Sequence, residues 1–274
     1  MRFKVLFTAW NCRRWLPTGL AALAAQTDDA VDVCVVDDAS DDPGQWPLIQ
    51  EFCRRRGWAA IHNDTRRGCM YNQVQAAHHL DPRPGDVLVF HDGDDRLAAP
   101  DTLARLRWHY RQDEPLMTYG SYCCTPCDPW VTPAQEFPRG VIARNAYRAF
   151  SGRDEPDPVW FNHLRSVRFG VFDRIDPDVH FRWPDGSWFR KCCDTAVMVP
   201  ALELAGGRHR FVPDVLYVYT RDNPLSDCRY DLDEIERVHH RIFHEIAPLD
   251  PLDEIRVPGT LLSEPRRHIA EEWA

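Results

Sequence analysis

The chain has 274 residues, of which 44% are hydrophobic and 27% charged, and its formal net charge is −9. This composition excludes a disordered or collagen-like chain and predicts a globular protein with a sizeable buried core. Its apolar runs, such as 31–36 and 87–90, are far shorter than the roughly 20 residues that a membrane-spanning helix needs. Because the N-terminus carries no cationic segment followed by an apolar one, we expect a cytoplasmic protein without membrane contacts.

The cysteines and the basic residues limit the classes of partner. The ten cysteines are spread over a long chain, so reduced thiols are expected and no structural disulfide is predicted. Zinc is disfavoured, because Cys123-Cys124 with Cys127 and the pair Cys192-Cys193 lack the spacing of paired C-x-x-C knuckles. The negative net charge argues against a protein that coats nucleic acid, although it leaves room for a local arginine-lined groove.

The first hundred residues alternate between short apolar runs and amphipathic segments. The runs predict strands over 3–7, 31–36, 59–62 and 86–90, and the segments predict helices over 15–26, 46–56, 69–80 and 100–110. This alternation is typical of right-handed βαβ units, so we predict an α/β fold with a mostly parallel sheet flanked by helices. Ligands of such sheets bind beyond the carboxyl ends of the strands.

The pattern changes near residue 118, where proline, cysteine and aromatic residues become frequent. Beyond it, we predict helices over 159–175, 194–205 and 232–246, a strand over 211–219, and a charged tail that wraps the surface. We therefore divide one domain into a first half (1–118), a second half (119–228) and a C-terminal helix with its tail (229–274).

Two acidic clusters follow strands of the predicted sheet. Asp37-Asp38 ends the second strand, and Asp92-Gly93-Asp94-Asp95 ends the fourth. Clustered carboxylates repel one another unless a cation compensates them, and their oxygens suit Mg²⁺ or Mn²⁺. The same tetrapeptide is also common as a solvated turn. Asp37 and Asp38 are suited to accept hydrogen bonds from a nucleobase or a ribose, or to serve as turn and N-cap residues.

The glycine-rich phosphate loops are missing from the sequence. No G-x-G-x-x-G follows the first strand and no G-x-x-x-x-G-K-[ST] occurs, which excludes the usual dinucleotide and P-loop classes. A bound nucleotide diphosphate must then be neutralised by a metal ion and by arginine. Arg66 and Arg67, beside Gly68, are the candidates, although solvated surface arginines are the commoner case.

Five segments within residues 3–105 carry a family resemblance. They are Thr8-Ala9-Trp10-Asn11, the stretch from Leu20 to Thr27, the stretch from Val35 to Asp42, Asn63 to Gly68 with Asn72, and Asp92-Gly93-Asp94-Asp95 before Pro100. Together they resemble the family 2 glycosyltransferases of GT-A fold. The resemblance implies a Rossmann-like GT-A domain whose first half binds a nucleotide sugar and whose second half binds the acceptor and supplies the catalytic base.

The resemblance also implies roles for individual residues. The donor-binding residues are expected to be Thr8, Trp10, Asp38, Arg67 and Asp92, and the metal ligands Asp92, Asp94 and Asp95. Asp194, before a predicted helix, matches the family's general base, and its alternative role is that of an N-cap. The family also has a histidine, in a Tyr-Arg-x-His segment, that approaches the metal or the diphosphate. This chain has Tyr219 to Asn223 there, so Asp222, counted with the metal ligands, or Asn223 takes that role, or it is absent.

The predicted function is a metal-dependent inverting glycosyltransferase that uses Mn²⁺ or Mg²⁺ and a nucleotide sugar, with a UDP-sugar as the expected donor. The second half, with His163-Leu164-Arg165 and Asn223 to Asp227, resembles phage-type transferases, some of which glycosylate hydroxymethylated pyrimidines in DNA. A polysaccharide, protein or small-molecule acceptor competes with DNA, and the acidity of the chain counts against DNA.

Two other classes of function remain open. A nucleotidyltransferase can share the sheet and its acidic edge. A non-catalytic sugar-binding module would use tryptophans of the second half as stacking surfaces, the candidates being Trp130, Trp160, Trp183 and Trp188. Core tryptophans are nevertheless more frequent than ligand-binding ones.

Overall fold

The computed structural model describes residues 1–126, 131–132, 134–151, 161–226 and 232–253, which build a nine-stranded sheet with helices on both faces. The strands are β1 (Phe3–Ala9), β2 (Val31–Asp37), β3 (Ala59–His62), β4 (Val87–Asp92), β5 (Arg96–Leu97), β6 (Met117–Thr125), β7 (Val131–Thr132), β8 (Ser166–Arg168) and β9 (His209–Thr220). The longer helices are α1 (Leu16–Ala24), α2 (Gln45–Arg56), α3 (Cys69–His79), α4 (Thr102–Arg111), α9 (Cys193–Ala205) and α10 (Leu232–His240). The short helices are α5 (Arg139–Ala143), α6 (Tyr147–Ser151), α7 (Phe169–Phe172) and α8 (Pro177–His180), and a π-helical turn, Arg241–Glu245, follows α10.

The strand order is β3-β2-β1-β4-β8-β6-β9-β5, with β7 paired to β6. The first four strands of this order run parallel, whereas β8 is antiparallel to both of its neighbours. The register places Ala9 opposite Asp37 and Thr8 opposite Asp92. Both acidic clusters therefore lie at one edge of the sheet, beyond the carboxyl ends of its parallel strands.

The period-2 alternation of the strands divides the apolar residues between two cores. In β1, Leu6 packs on one face among residues of α3 and α9, while Val5 and Phe7 pack on the other among residues of α1 and α4. All three side chains have no exposed surface. A strand buried on both faces reads as a continuous apolar run, which is why the sequence predicts these strands well. The predicted mixed α/β class is confirmed.

The helix predicted over 159–175 is wrong where the structure describes it. Residues 166–168 form β8, which pairs with Val87–Val89 of β4, and only the one-turn helix α7 follows. The apolar spacing suggested a helix, but strand pairing to β4 and β6 overrides local periodicity here. Buried Arg168 is accommodated because its Nε and Nη1 donate to the carbonyl oxygens of Pro115 and Gly85.

Most other predicted boundaries are confirmed within about two residues. Helices α2 and α9 both end at glycines in the left-handed region, Gly57 with φ of 67° and Gly206 with φ of 55°. The helix predicted over 232–246 is α10 followed by the π-helical turn. Several predicted features lie outside the described residues, namely Cys127, Trp130, Trp160, the start of the 159–175 segment, Asp227 and the tail beyond residue 253.

Strands from both sides of the predicted division share the sheet. The boundary proposed near residue 118 falls within β6, and β8 of the second half lies between β4 and β6. Among the described residues, none of the helices has the length and apolar character needed to cross a bilayer.

A partly buried histidine, His209, predicts sensitivity to acid. The ring of His209 lies among Tyr119, Phe137 and Tyr147, and burial lowers its pKa to about 4. In the unfolded chain the pKa is about 6.5. The unfolded state therefore takes up the proton first, so this contribution to stability is complete above about pH 6.5 and is lost as the pH falls towards 4. We expect the urea midpoint to fall less between pH 7 and pH 4.5 in His209→Phe than in the wild type.

Exposed His79 provides the matched control for this measurement. The substitution His79→Phe removes an exposed histidine. The urea midpoint of this variant is therefore expected to fall with pH as much as that of the wild type. Equal losses of stability in the wild type and in His209→Phe would contradict the assignment.

Candidate active site

A cavity of about 430 Å³ opens at the carboxyl edge of the parallel strands. Its walls come from the ends of β1 and β4, the start of α3, the N-terminus of α9, the segment after β9 and one face of α10. The residues that the sequence assigned to the donor, the metal or the base and that line it are Thr8, Trp10, Asp38, Asp92, Asp94 and Asp194, and the alternatives Arg66 and Asn223 line it as well. Three other predicted site residues in the described part of the chain, Arg67, Asp95 and Asp222, do not line the cavity.

Asp38 organises the loop that leads into α3. Its Oδ1 accepts hydrogen bonds from Asn63 Nδ2 at 2.9 Å and from the Arg67 backbone N–H at 2.8 Å, and its Oδ2 accepts one from the Gly68 N–H at 2.8 Å. Asn63 also donates to Asn72 on α3. The carboxylate is 3% exposed, so its contact with the cavity is a small part of its surface.

The neighbouring Asp37 serves the loop after β2. One carboxylate oxygen accepts hydrogen bonds from Ser40 Oγ and Gln45 Nε2, and the other pairs with Nδ1 of His62. The side chain has no exposed surface. Asp37 therefore has the turn role that the sequence offered as its alternative, whereas the N-cap of α2 is Gly44.

The loop ordered by Asp38 places an arginine over a tryptophan. The guanidinium carbon of Arg66 lies 3.4 Å from the ring centroid of Trp10, and both residues line the cavity. Arg67, the arginine chosen from the sequence, instead lies over the ring of Tyr71 at 5.0 Å. The Arg66-Trp10 pair gives one end of the cavity a flat, cationic surface that suits a nucleobase with its phosphates.

Gly68 is required by both backbone conformation and space. Its φ is +93°, and a Cβ at this position would lie 2.8 Å from Cα of Arg190.

We expect Gly68→Ala to raise KM for the donor, because the backbone shift disturbs the loop that carries Arg66, and to cost about 1–3 kcal/mol of folding free energy. Steady-state kinetics and urea unfolding measure the two effects. Gly186→Ala, with φ of +85° and open space around its Cβ, is the strain-matched control, and equal donor KM values in the two variants would contradict this role.

The acidic corner at the end of β4 brings two carboxylates and an imidazole together. One potential ligand atom each from Asp92, Asp95 and His163 lies within 4.8 Å of the others. Asp95 is 1% exposed; its Oδ1 accepts the Thr220 backbone N–H at 2.7 Å, and its Oδ2 is buried with no hydrogen-bond partner among the described residues. Burial, and then the charges of Asp94 and Asp92, raise the pKa of the Asp95 carboxyl well above its usual range.

These residues fit a divalent cation. A buried carboxylate oxygen without a partner costs free energy unless a cation or a proton satisfies it. Two carboxylates and one imidazole supply the oxygen and nitrogen donors that a cation such as Mn²⁺ accepts. Burial, followed by the charge of Arg165, lowers the pKa of His163 well below its usual value, so the ring is neutral. Its Nε2 lies 2.9 Å from Arg165 Nη2, and a cation bound at this nitrogen would replace that contact.

The remaining acidic residues of the predicted metal set have other partners. Asp94 accepts a hydrogen bond from Asn223 Nδ2 at 2.6 Å. Asp222 accepts one from Trp15 Nε1 at 3.0 Å and forms an ion pair with Arg14 at 3.2 Å. The segment after β9 is thus tied to the acidic corner through Asn223, while Asp222 points towards α1.

Sequence reasoning did not identify His163 as a candidate ligand. It lies in the segment that leads into β8, and the pairing of β8 with β4 brings it beside Asp92, with 3.7 Å between Nε2 and Oδ2. Its ring stacks on Tyr217 with a centroid distance of 4.3 Å. The sequence predicts a helix over 159–175, so it gave no indication that His163 would lie next to β4.

Asp194 lies in the first turn of α9, beside the acidic corner, because Arg165 contacts both Asp194 and Asp92. Its Oδ1 accepts the Thr195 backbone N–H at 2.8 Å, and its Oδ2 pairs with Arg165 Nη1 at 2.9 Å. The side chain is 43% exposed and lines the cavity. Burial raises the pKa of the Asp92 carboxyl, the charge of Arg165 opposes this rise, and the charge of Asp194 adds to it.

The sequence matches one family model over residues 4–191, which is more than half of the chain, and the family is described as glycosyl transferase family 2. The chain belongs to glycosyl transferase family 2. No curated protein sequence matches the chain. The matched range contains Asp38, Asp92, Asp95 and His163 and ends three residues before Asp194.

Solved structures of glycosyltransferases share the fold of this family 2 chain. TarS of S. aureus is 17% identical with a TM-score of 0.60, and the match covers 88% of this chain and 39% of TarS. Mannosyltransferase PcManGT from Pyrobaculum calidifontis, solved with GDP-Man and Mn²⁺, is 20% identical with a TM-score of 0.52, covering 80% of this chain and 56% of the other. TarS 1-349 has also been solved with UDP-GlcNAc. The matches cover between 39% and 59% of the length of these three structures, and the likeness shows the GT-A fold.

Proposed function

We propose that this chain transfers a sugar from a nucleotide-sugar donor to an acceptor hydroxyl, with inversion at the anomeric carbon. The observation that carries the proposal is the arrangement around one cavity. The Asp194 carboxylate lines it near a corner where Asp92, Asp95 and His163 group their potential ligand atoms within 4.8 Å, and Arg165 contacts both Asp194 and Asp92. A base and a cation site at one cavity are what a displacement at a sugar diphosphate requires.

The nucleotide occupies the end of the cavity formed by β1 and the start of α3. There, Trp10 and the guanidinium of Arg66 supply a stacking surface and positive charge, and Thr8 supplies a hydroxyl. Asp38 holds the loop in place through its three hydrogen bonds. The UDP-GlcNAc of a TarS structure supports a UDP-sugar as the donor.

The diphosphate lies at the acidic corner. Asp92, Asp95 and His163 are the residues that would hold a divalent cation, and such a cation supplies positive charge that stabilises the departing nucleotide. The Mn²⁺ in the PcManGT structure supports this metal. Asp94, held by Asn223, borders the same part of the cavity.

Asp194 acts as the general base. Its carboxylate accepts the proton of the acceptor hydroxyl while the oxygen attacks the anomeric carbon from the face opposite the nucleotide, so the configuration inverts. The carboxylate lies in the first turn of α9, near the positive end of the helix dipole. Its 43% exposure keeps it within reach of an acceptor that enters from solvent.

For the acceptor we propose a hydroxymethylated pyrimidine in DNA, as in phage-type transferases, in the cytoplasm of the host. The resemblance of the second half supports this acceptor, and the arginines Arg66 and Arg190 at the cavity provide positive charge for backbone phosphates. A glycan, protein or small-molecule acceptor is the competing arm of the test.

A screen of purified protein tests the proposal. The protein with Mn²⁺ is incubated with UDP-glucose, UDP-GlcNAc or GDP-mannose, and with hydroxymethylcytosine DNA, unmodified DNA or simple glycans, and both released nucleotide and glycosylated product are measured. We expect product on hydroxymethylated DNA and none on unmodified DNA. Product on glycans alone would contradict the DNA acceptor, and neither transfer nor donor hydrolysis with any pair would contradict the transferase. Release of pyrophosphate from a nucleoside triphosphate would instead favour a nucleotidyltransferase.

A further inference from the structure

Arg165 lies between the two acidic groups of the site. Its Nη1 is 2.9 Å from Asp194 Oδ2, and its Nη2 is 3.5 Å from Asp92 Oδ2 and 2.9 Å from His163 Nε2. The side chain is 7% exposed, although it lines the cavity. One buried guanidinium thus contacts the proposed base and two of the proposed metal ligands.

The partners of Arg165 differ from those of a structural arginine in the same strand region. Arg168, also buried, donates to the backbone carbonyls of Pro115 and Gly85, and its contacts stabilise the chain path. The contacts that Arg165 makes through Nη1 and Nη2 go instead to side chains of the site, and its Nε is buried with no hydrogen-bond partner among the described residues. A buried donor without a partner costs stability, so this placement is poorly explained by folding alone.

The geometry of the guanidinium suits a bridging role. The guanidinium lies between two carboxylates, 2.9 Å from Asp194 Oδ2 and 3.5 Å from Asp92 Oδ2, so its positive charge offsets their mutual repulsion. The planar fork of arginine presents two separate N–H donors in fixed directions, which a lysine ammonium cannot do. Since Asp194 is half-exposed, the buried Arg165 is the rigid contact that limits the orientations of its carboxylate.

We propose that Arg165 is a positioning residue for sugar transfer: it fixes the Asp194 carboxylate relative to Asp92 and so orients the base towards the reacting sugar. The proposal rests on the proposed function, because it assigns Arg165 a role in that reaction. Arg165 acts through Asp194, so its removal lowers kcat for transfer more than it weakens donor binding. The acceptor hydroxyl gives its proton to Asp194 and not to the permanently charged guanidinium.

The first experiment compares Arg165→Met and Arg165→Lys with the wild type. We expect Arg165→Met to lower kcat for transfer by about 10²-fold while donor KM changes by less than about threefold, and Arg165→Lys to recover part of the rate. The matched controls Arg168→Met and Arg168→Lys remove the buried arginine with backbone partners. They are expected to lower the thermal midpoint and to leave kcat unchanged at a temperature where the protein is folded. Wild-type kcat in Arg165→Met would overturn the proposal.

A double-mutant cycle provides the second readout. If Arg165 acts through the base, the combination of Arg165→Met with Asp194→Asn is expected to be no slower than Asp194→Asn alone. Independent, multiplied losses would overturn the positioning role. A wild-type protein inactive with every donor and acceptor contradicts the proposed function itself, whereas an active wild type with unaffected Arg165 variants contradicts only the present inference. Circular dichroism of each variant separates a folding defect from a catalytic one, and Arg165→Lys is the variant assayed if Arg165→Met does not fold.

Discussion

Replacing Asp194 with asparagine is expected to lower kcat for sugar transfer by about 10²- to 10⁴-fold. The amide keeps the shape of the side chain and its acceptor for the Thr195 N–H, but it cannot take the proton of the acceptor hydroxyl. Donor binding takes place mainly at the other end of the cavity, so donor KM is expected to change little. Steady-state kinetics with the acceptor found in the screen provide the measurement.

Asp214 supplies a closely matched control for this substitution. Its side chain is 43% exposed, as is that of Asp194, and it also forms an ion pair with an arginine, Arg105. Neither Asp214 nor Arg105 lines the cavity. Asp214→Asn is expected to keep the wild-type kcat. If Asp194→Asn retained wild-type kcat as well, another residue would have to be the base, and an N-cap role would be all that remained for Asp194.

Replacing Asp95 with asparagine is expected to have opposite effects on metal binding and on folding. Loss of the carboxylate should weaken Mn²⁺ binding by at least about 100-fold, as judged by calorimetric titration. In the presence of a chelator the same variant should be more stable than the wild type at pH 7, by about 1–2 kcal/mol. The physical reason is that burial raises the pKa of this carboxyl, so ionisation at neutral pH destabilises the metal-free fold.

The sign of the stability change follows from linkage. A carboxyl whose folded pKa lies above its unfolded value of about 3.9 stabilises the fold when it is protonated, and this contribution is lost as the pH rises through the folded pKa. The asparagine carries no charge at any pH and keeps an oxygen for the Thr220 N–H. The control is Asp101→Asn, which disrupts an ion pair with Arg105 on the surface. It is expected to change neither the free energy of Mn²⁺ binding nor the free energy of unfolding by more than about 0.5 kcal/mol. A destabilised Asp95→Asn with unchanged Mn²⁺ affinity would identify Asp95 as a structural carboxylate.

The first half of the fold was predictable because its signals are local. Strands such as Val31–Asp37 are buried on both faces and read as apolar runs, and helices such as Gln45–Arg56 end at a glycine whose conformation few other residues adopt. Because β2 and β4 run parallel, the acidic residues at their carboxyl ends could be predicted to lie at one edge of the sheet. The cavity is lined by four residues that the sequence predicts to bind the donor, Thr8, Trp10, Asp38 and Asp92. Their roles in binding stay predictions.

The second half could not be predicted as well because its elements depend on distant partners. The segment 166–168 becomes a strand through pairing with β4 and β6, and no periodicity within it indicates this. That pairing places His163 and Arg165 beside Asp92, so both residues were missed as members of the acidic corner. Arg66 and Arg67 are adjacent in sequence, and the choice between them depends on the loop conformation set by Asp38.

The most direct test of the account is the position of a bound Mn²⁺ ion. Crystals of the wild-type protein grown with Mn²⁺ and UDP would be measured at the manganese absorption edge, and the anomalous difference map would locate the ion. We predict a manganese peak within coordination distance of Asp92, Asp95 and His163, with the nucleotide extending towards Trp10. A manganese peak elsewhere, or bound UDP whose diphosphate lies away from this corner, would contradict it.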